Sequence, residues 1–243
     1  SVIEGIFKSN LKIKKIYISP RNITIAKKLS KRFKKVTIAK DNQQLINKSS
    51  WIFLAITPQV GKKILSKLNF KQNQKIVSFI STINLAQLKK YIGKKNKIVR
   101  AIPLPPISNK LGPIPICPPD KKVKGFFSKL GTVIEIKNEK LSKNFWVTSS
   151  MMAPYYELLK VLSDWLVQRG IKRNVAQKYI TSLFVALSQD SFINSKKHLK
   201  YLVKSSQTPR GLNEHAIKYL KKVGFYRHFS KSLNSILKRL NNV

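Results

Sequence analysis

Five short runs of apolar and β-branched residues punctuate the first hundred positions: Lys15 to Ile18, Val36 to Ala39, Trp51 to Ile56, Ile76 to Ile80 and Ile98 to Ile102. Near-continuous apolar runs of this length suit parallel strands covered on both faces. Between them lie stretches of helical period, such as Ile23 to Phe33 and Gln59 to Leu68. Strand and helix in alternation predict a doubly wound, mostly parallel α/β sheet over residues 1–143. A further run, Val133 to Ile136, is expected to close it. The prolines at 103, 105, 106, 113, 115, 118 and 119 read as a rigid, loop-rich passage after the fifth strand, either a pocket wall or a connector.

From Asn144 the pattern changes, and residues 144–243 read as a helical domain. Phe145 to Leu166 is apolar nearly all round, which predicts a single buried helix. Val175 to Leu187 forms a second helix, with Tyr179, Ile180, Leu183 and Leu187 at helical spacing. Phe229, Leu233, Ile236, Leu237 and Leu240 mark a third, amphipathic one. A small helical domain this apolar cannot cover its own faces. Packing against a second copy is the natural solution, so a homodimer or higher homo-oligomer is expected.

The chain has 243 residues, 42% of them hydrophobic, enough for a packed core. No apolar run approaches the roughly 18 residues of a membrane span, no signal peptide opens the chain, and no membrane partner is expected. The single Cys117 excludes a disulfide framework and a cysteine-cluster metal site, and fits a cytoplasmic setting. The net charge of +40 invites a nucleic-acid reading. The lysines, however, are spread over nearly every segment rather than massed in one arm, so most are read as solvated surface and no nucleic-acid partner is expected. The field would still concentrate anionic ligands, phosphorylated cofactors included.

Three segments carry candidate chemistry. Ser19-Pro20-Arg21-Asn22 lies between a strand and a helix. In a dinucleotide-binding sheet the end of the second strand meets the adenosine ribose. An acid there selects NAD, whereas a hydroxyl with an arginine suits the 2′-phosphate of NADP. The plain alternative is a turn with a helix cap. Ala55-Ile56-Thr57-Pro58 sits at the carboxyl end of a buried strand, where open α/β sheets bind ligands. Thr208-Pro209-Arg210-Gly211-Leu212-Asn213-Glu214 opens a helix whose free amides suit a carboxylate or phosphate, the alternative again being a cap. His198, His215 and His228 form no triad, no metal spacing is present, and Cys117 between prolines reads as structural. Nine acids leave acid–base pairs scarce, which fits hydride transfer, where the cofactor carries the hard chemistry.

At these residues the chain resembles the pyrroline-5-carboxylate reductases, in consistent order from end to end. Ser1 to Ile6 is similar to the helix after the family's GxGxMG loop. Asn42, thirteen residues before Ala55, matches the asparagine on the cofactor's adenine side. Ala55 to Pro58 resembles AVKP, Ser78 followed by Ser81-Thr82-Ile83 resembles SixAGI, and Arg100 to Pro103 resembles RxMPN. Ser149 to Pro154 resembles SGSGPA, and Thr208 to Gly211 resembles SPGG. The resemblance implies a Rossmann domain followed by an all-α dimerisation domain. It implies NADPH-dependent (NADH being possible) reduction of 1-pyrroline-5-carboxylate, an imine carboxylate, to proline by hydride transfer to the imine carbon. Ser19, Arg21, Asn22, Asn42 and Ala55 to Pro58 would meet the cofactor. Thr208, Arg210, Gly211, Leu212 and Asn213 would meet the substrate, with Asn213 hydrogen-bonding near the imine nitrogen, where the family usually has threonine.

The departures bear on substrate. Leu104 stands for the asparagine of RxMPN, Arg210 for a glycine, and Leu212-Asn213 for a small-residue or threonine pair. They leave two other readings open: a related reductase of another small imine or keto acid, and a non-catalytic chain. The family's first strand and glycine loop have no counterpart in residues 1–243. The chain is therefore expected to be N-terminally truncated by roughly a dozen residues. Residues 1–243 alone are expected to hold the cofactor weakly or not at all, without the amides that grip pyrophosphate.

Overall fold

Each of the six apolar runs forms a strand in the computed structural model, which describes residues 1–241. The order is α1 (Val2–Lys8), β1 (Ile16–Ile18), α2 (Ile23–Arg32), β2 (Val36–Ile38), α3 (Asn42–Asn47), β3 (Trp51–Leu54), α4 (Pro58–Leu65), β4 (Lys75–Ser78), α5 (Leu85–Ile92), β5 (Ile98–Ala101), a 3-10 turn (Pro105–Asn109), β6 (Pro113–Cys117), α6 (Lys121–Phe127) and β7 (Thr132–Glu135). The strands make two sheets rather than one. β1 pairs with β2, and β3-β4-β5-β6-β7 form a five-stranded sheet, parallel except between β5 and β6.

Period-2 alternation gives the larger sheet two apolar faces. Val77, Val99 and Ala101 join Ile6, Val123 and Phe127 on one side. Ile52, Leu54, Ile76 and Ile98 join Leu65 and Leu88 on the other. The 3-10 turn presses against α1 so closely that a Cβ on Gly5 would stand 2.3 Å from the Ile107 carbonyl oxygen. Only glycine permits that approach.

β6 corrects the loop expected after the fifth strand. Pro115 lies inside a strand flanked on both sides, where a missing N–H normally breaks a ladder. It is tolerated because the antiparallel pairing covers only Arg100 with Cys117 and Ala101 with Ile116. Pro115 sits just beyond the end of β5, and its carbonyl accepts from the Ile102 amide. The pairing that matters runs to β7, parallel, from Pro113 to Ile116.

At the start of α6 the Asp120 side chain accepts from the Val123 amide as the helix cap and meets Lys75 Nζ at 2.6 Å. Burial raises its pKa, but the Lys75 hydrogen bond and the cap amides outweigh this and hold the carboxyl below its ordinary value. A depressed folded pKa stabilises above the unfolded value and is lost as pH falls through the folded one. Asp120→Asn keeps a cap and loses the charge. It is expected to cost about 1 kcal/mol in urea unfolding at neutral pH, with the gap to the parent closing below about pH 4.

The chain divides into two compact units, residues 1–146 and a second beginning at Val147. The first is Rossmann-like and the second helical. α7 (Glu139–Ser149) spans the boundary. It is followed by α8 (Met152–Val167), α9 (Arg173–Ile193), α10 (Lys200–Ser205), α11 (Leu212–Lys222) and α12 (Phe225–Asn241). The single helix expected from Phe145 to Leu166 is two. Turn bonds from Ser150 to Val147 and from Met151 to Thr148 end α7, and α8 restarts at Met152. Pro154 explains the break. In an unbroken helix it would remove an interior bond, whereas in the first turn of α8 its missing N–H costs nothing. Nor are these helices buried within one chain: Tyr156, Trp165, Tyr179 and Val185 are all more than half exposed.

Candidate functional site

The carboxyl ends of β1 and β3 open into one cavity of about 1060 Å³, which Ser19, Arg21, Asn42, Ala55 and Ile56 line. The Ser19 hydroxyl donates to Asn42 Oδ1 at 2.8 Å, tying the end of β1 to the start of α3. Ser19 Oγ also accepts from the Arg21 amide at 3.3 Å, which fixes the turn that carries the guanidinium. Two further cations stand close by, with Lys15 and Lys48 Nζ 5.4 and 5.8 Å from the Tyr17 ring centre. A hydroxyl, a guanidinium and flanking ammonium groups, with no carboxylate among the cavity-lining residues, suit a phosphate ester better than a bare diol.

Not every expected cofactor residue joins this cluster. Asn22 is the cap of α2, its side chain accepting from the Ile25 amide at 3.1 Å, so its carboxamide oxygen is already used. Thr57 caps α4 through its backbone, with Pro58 in the first turn, and neither lines the cavity. The residues present fit the adenosine end of a nicotinamide dinucleotide. None of the nine glycines falls in a GxGxxG run, so no such loop in residues 1–243 offers amides to the pyrophosphate.

Arg100, quoted above only within a motif, proves to be the buried cation of this unit, 3% exposed. Its guanidinium meets Glu139 Oε1 at 2.6 Å, donates to the Ile80 and Ser81 carbonyls, and stacks 4.1 Å from the Trp146 ring centre. Glu139 Oε1 also accepts from the Leu85 amide at 2.8 Å. One ion pair thus joins the end of β5, the β4–α5 loop and the start of α7. Burial lowers the Arg100 pKa while the Glu139 hydrogen bond and charge oppose the shift. The sequence signal was an arginine inside a run read as covered on both faces. Such a charge needs a partner, and only nine acids compete for the place. Cys117 beside this pair is 3% exposed, and burial pushes its thiol up, which favours the inert form.

In the second unit, Thr208 to Gly211 turn into α11, the Gly211 amide donating to the Thr208 carbonyl at 2.8 Å. Arg210 stands at φ +59°, the left-handed region that favours glycine. Its amide donates to Glu214 Oε2 at 2.6 Å, which offsets part of that strain. The Lys218 hydrogen bond and then that amide hold Glu214 below the ordinary carboxylate range. Asn213 Nδ2 donates to the Ser206 carbonyl at 2.8 Å, leaving Oδ1 as its acceptor. Leu212 is 90% exposed. Thr208, Arg210, Gly211 and Asn213 are therefore gathered in one turn. His198 Nδ1 accepts from the Lys200 amide, a local contact at the start of α10. Among the described residues no cluster of His, Cys, Asp and Glu is arranged to hold a metal ion, and no helix is long and apolar enough to cross a membrane.

A family model for pyrroline-5-carboxylate reductase dimerisation matches residues 139–243. One for NADP oxidoreductase, coenzyme F420-dependent, matches residues 1–85. A pyrroline-5-carboxylate reductase of Synechocystis is 27% identical over 213 residues, 84% of this chain and 79% of that protein. Along most of its length the chain is thus similar to pyrroline-5-carboxylate reductases. Its fold is also that of solved reductases. The 1-pyrroline-5-carboxylate reductase of Streptococcus pyogenes superposes with a TM-score of 0.84 at 19% identity, covering 100% of this chain and 93% of that one. The pyrroline carboxylate reductase of Plasmodium falciparum, solved with NADP bound, gives 0.83 at 18% identity, covering 98% and 91%. The names matched are those of oxidoreductases, and the fold is shared with a reductase solved with NADP bound.

Proposed function

We propose that the chain serves NADPH-dependent reduction of 1-pyrroline-5-carboxylate to proline, working as a homodimer. The observation that carries the reading is the linked Ser19–Asn42–Arg21 cluster at the carboxyl end of β1, in a chain similar to these reductases along most of its length. Arg21 pairs with the 2′-phosphate, Ser19 donates or accepts at the ribose edge, and Asn42 holds Ser19 in place. NADPH, when bound, supplies the hydride. At the start of α11 the backbone amides and the Arg210 guanidinium hold the substrate carboxylate. Asn213 Oδ1, freed as an acceptor by the Nδ2 bond to Ser206, receives a hydrogen bond from the protonated imine N–H and so favours the form that accepts hydride. The exposed apolar side chains of α8 and α9 supply the dimer face.

The test is oxidation of NADPH by the full-length protein in the presence of pyrroline-5-carboxylate, alongside titration of each ligand. Turnover favouring NADPH is expected. Turnover only with a different imine or a keto acid would move the substrate assignment, and absence of saturable binding by either ligand would overturn it. Arg210→Gly separates strain from binding. The glycine relieves the left-handed backbone, so unfolding stability is expected to stay level or rise by up to about 1 kcal/mol. The KM for the carboxylate substrate is expected to rise roughly tenfold as a charge-assisted contact is lost.

A further inference from the structure

Lysines scattered along the chain are gathered by the fold. β1 and β2 run parallel, as do β3, β4 and β5, so within each sheet these strands enter at one edge and leave at the other. The loops that lead into the five strands span residues 9–15, 33–35, 48–50, 66–74 and 93–97. In that order they carry three, two, one, two and three lysines, all of them exposed, and no acid. The loops that leave the strands, residues 19–22, 39–41, 55–57, 79–84 and 102–104, carry Arg21 and Lys40 as their cations, with Asp41 beside them. Positive charge therefore collects at the edge opposite the one that presents Ser19, Arg21 and Asn42. Two of its ammonium groups are held in place. Lys35 Nζ donates to the Ile13 carbonyl at 3.0 Å, and Lys71 Nζ donates to the Asn47 carbonyl at 3.0 Å. Each bond ties one entry loop to the next, and each ammonium keeps two further N–H groups and its charge. The register that sets Ile76 beside Ile98 brings Lys97 next to Lys75. Asp120, the acid nearest this edge, is paired with Lys75 at 2.6 Å.

We propose that this lysine edge docks the phosphodiester backbone of a double-stranded nucleic acid, without reading its base sequence. Neighbouring strands stand about 4.8 Å apart, so their entry loops present cations in a row. A row suits a linear polyanion better than a lone phosphate. Ser50, Gln72 and Asn73 stand exposed among the lysines, hydroxyl and amide groups of the kind that bond phosphate and sugar oxygens. No large apolar side chain in the five loops is exposed. That disfavours a membrane surface, where apolar residues insert beside the cations. It equally disfavours a single strand, whose bases need aromatic side chains to stack on. Ammonium groups already fixed on carbonyls lose less freedom when they meet phosphate. Dispersal of lysines along the chain thus does not argue against such a partner, because parallel strands bring distant loops to one edge. These cations lie away from the cofactor cluster, so the site is independent of the oxidoreductase reading.

The test titrates a fluorescent DNA duplex of about 20 base pairs with the full-length protein and follows anisotropy between about 50 and 200 mM salt. Saturable binding is expected, with a Kd on the order of 10 µM near physiological salt and a log–log salt slope of about −4 to −5. A triple variant, Lys35→Gln, Lys71→Gln and Lys97→Gln, removes three charges from three loops, keeps a donor at each position and changes no residue that lines the cofactor cavity. It is expected to bind at least tenfold more weakly, with the slope shallower by about three. A second triple of equal charge in the helical unit, Lys221→Gln, Lys222→Gln and Lys231→Gln, is expected to stay within about twofold of the parent, since those lysines touch no phosphate. Equal loss in the two triples would show the diffuse field of a +40 chain and overturn the proposal. So would the absence of saturable binding, release of the duplex by NADPH at cofactor-like concentration, or preferential binding to phosphatidylserine vesicles in competition with the duplex.

Discussion

Replacing Glu139 by alanine is expected to cost about 3 kcal/mol of folding free energy, the largest effect of any single change considered. The Arg100 guanidinium is 3% exposed and its side chain meets one carboxylate. Removing one partner of a buried pair leaves the other charge without compensation, typically at about 3–5 kcal/mol. The lower end applies because the Glu139 side chain is 28% exposed and water can enter the gap. The Leu85 amide loses its acceptor as well. Arg100→Met in the same background removes the stranded charge, so the double variant is expected to be more stable than Glu139→Ala alone. Urea unfolding of the four species of the cycle reads this coupling directly. If Glu139→Ala unfolds within about 0.5 kcal/mol of the parent, the pair does not anchor α7 to the sheet.

Arg21→Ala is expected to raise the KM for NADPH roughly tenfold to a hundredfold while leaving that for NADH within about twofold. A hydrogen bond to a charged group is worth about 1.5–3 kcal/mol, and each 1.4 kcal/mol is a factor of ten. NADH has no 2′-phosphate, so the loss should be confined to NADPH. Ser19→Ala should act in the same direction and more weakly, since it also frees Asn42 from its 2.8 Å bond. Equal weakening of both cofactors by Arg21→Ala would show that the side chain shapes the turn without touching phosphate. The field of the +40 chain should make NADPH binding fall with ionic strength in both proteins, so the comparison belongs at one fixed salt concentration.

The sequence made much of this legible for physical reasons that differ from element to element. The strands from β1 to β5 and β7 were visible because each is a short apolar run, a signal carried by neighbours in the chain. β6 was not, because Pro113, Pro115 and Pro118 dominate any local reading. Only the short reach of β5 makes Pro115 acceptable there. The α7–α8 break was encoded in Pro154 but masked by the apolar residues on either side. Ser19 and Arg21 were recognisable as a pair because they share one turn. That Asn42 binds Ser19 while Asn22 is taken by its own helix cap depends on contacts across 23 residues in one case and three in the other. Sequence weighs these two asparagines equally.

By itself, then, the order of apolar runs, turns and helical stretches determined an α/β unit followed by a helical one, with the β1–α2 turn and the segment that opens α11 in their places. Each of those depends on periods and turn chemistry within a dozen residues or so. The tertiary structure alone decided the rest. It chose Glu139 as the counter-ion of Arg100, since a buried charge finds its partner through space and not along the chain. It put Arg210 at φ +59° and committed the Asn213 donor to Ser206. It also set the edges of β1 and β3 facing one cavity, because strand pairing is a long-range choice that no local pattern records.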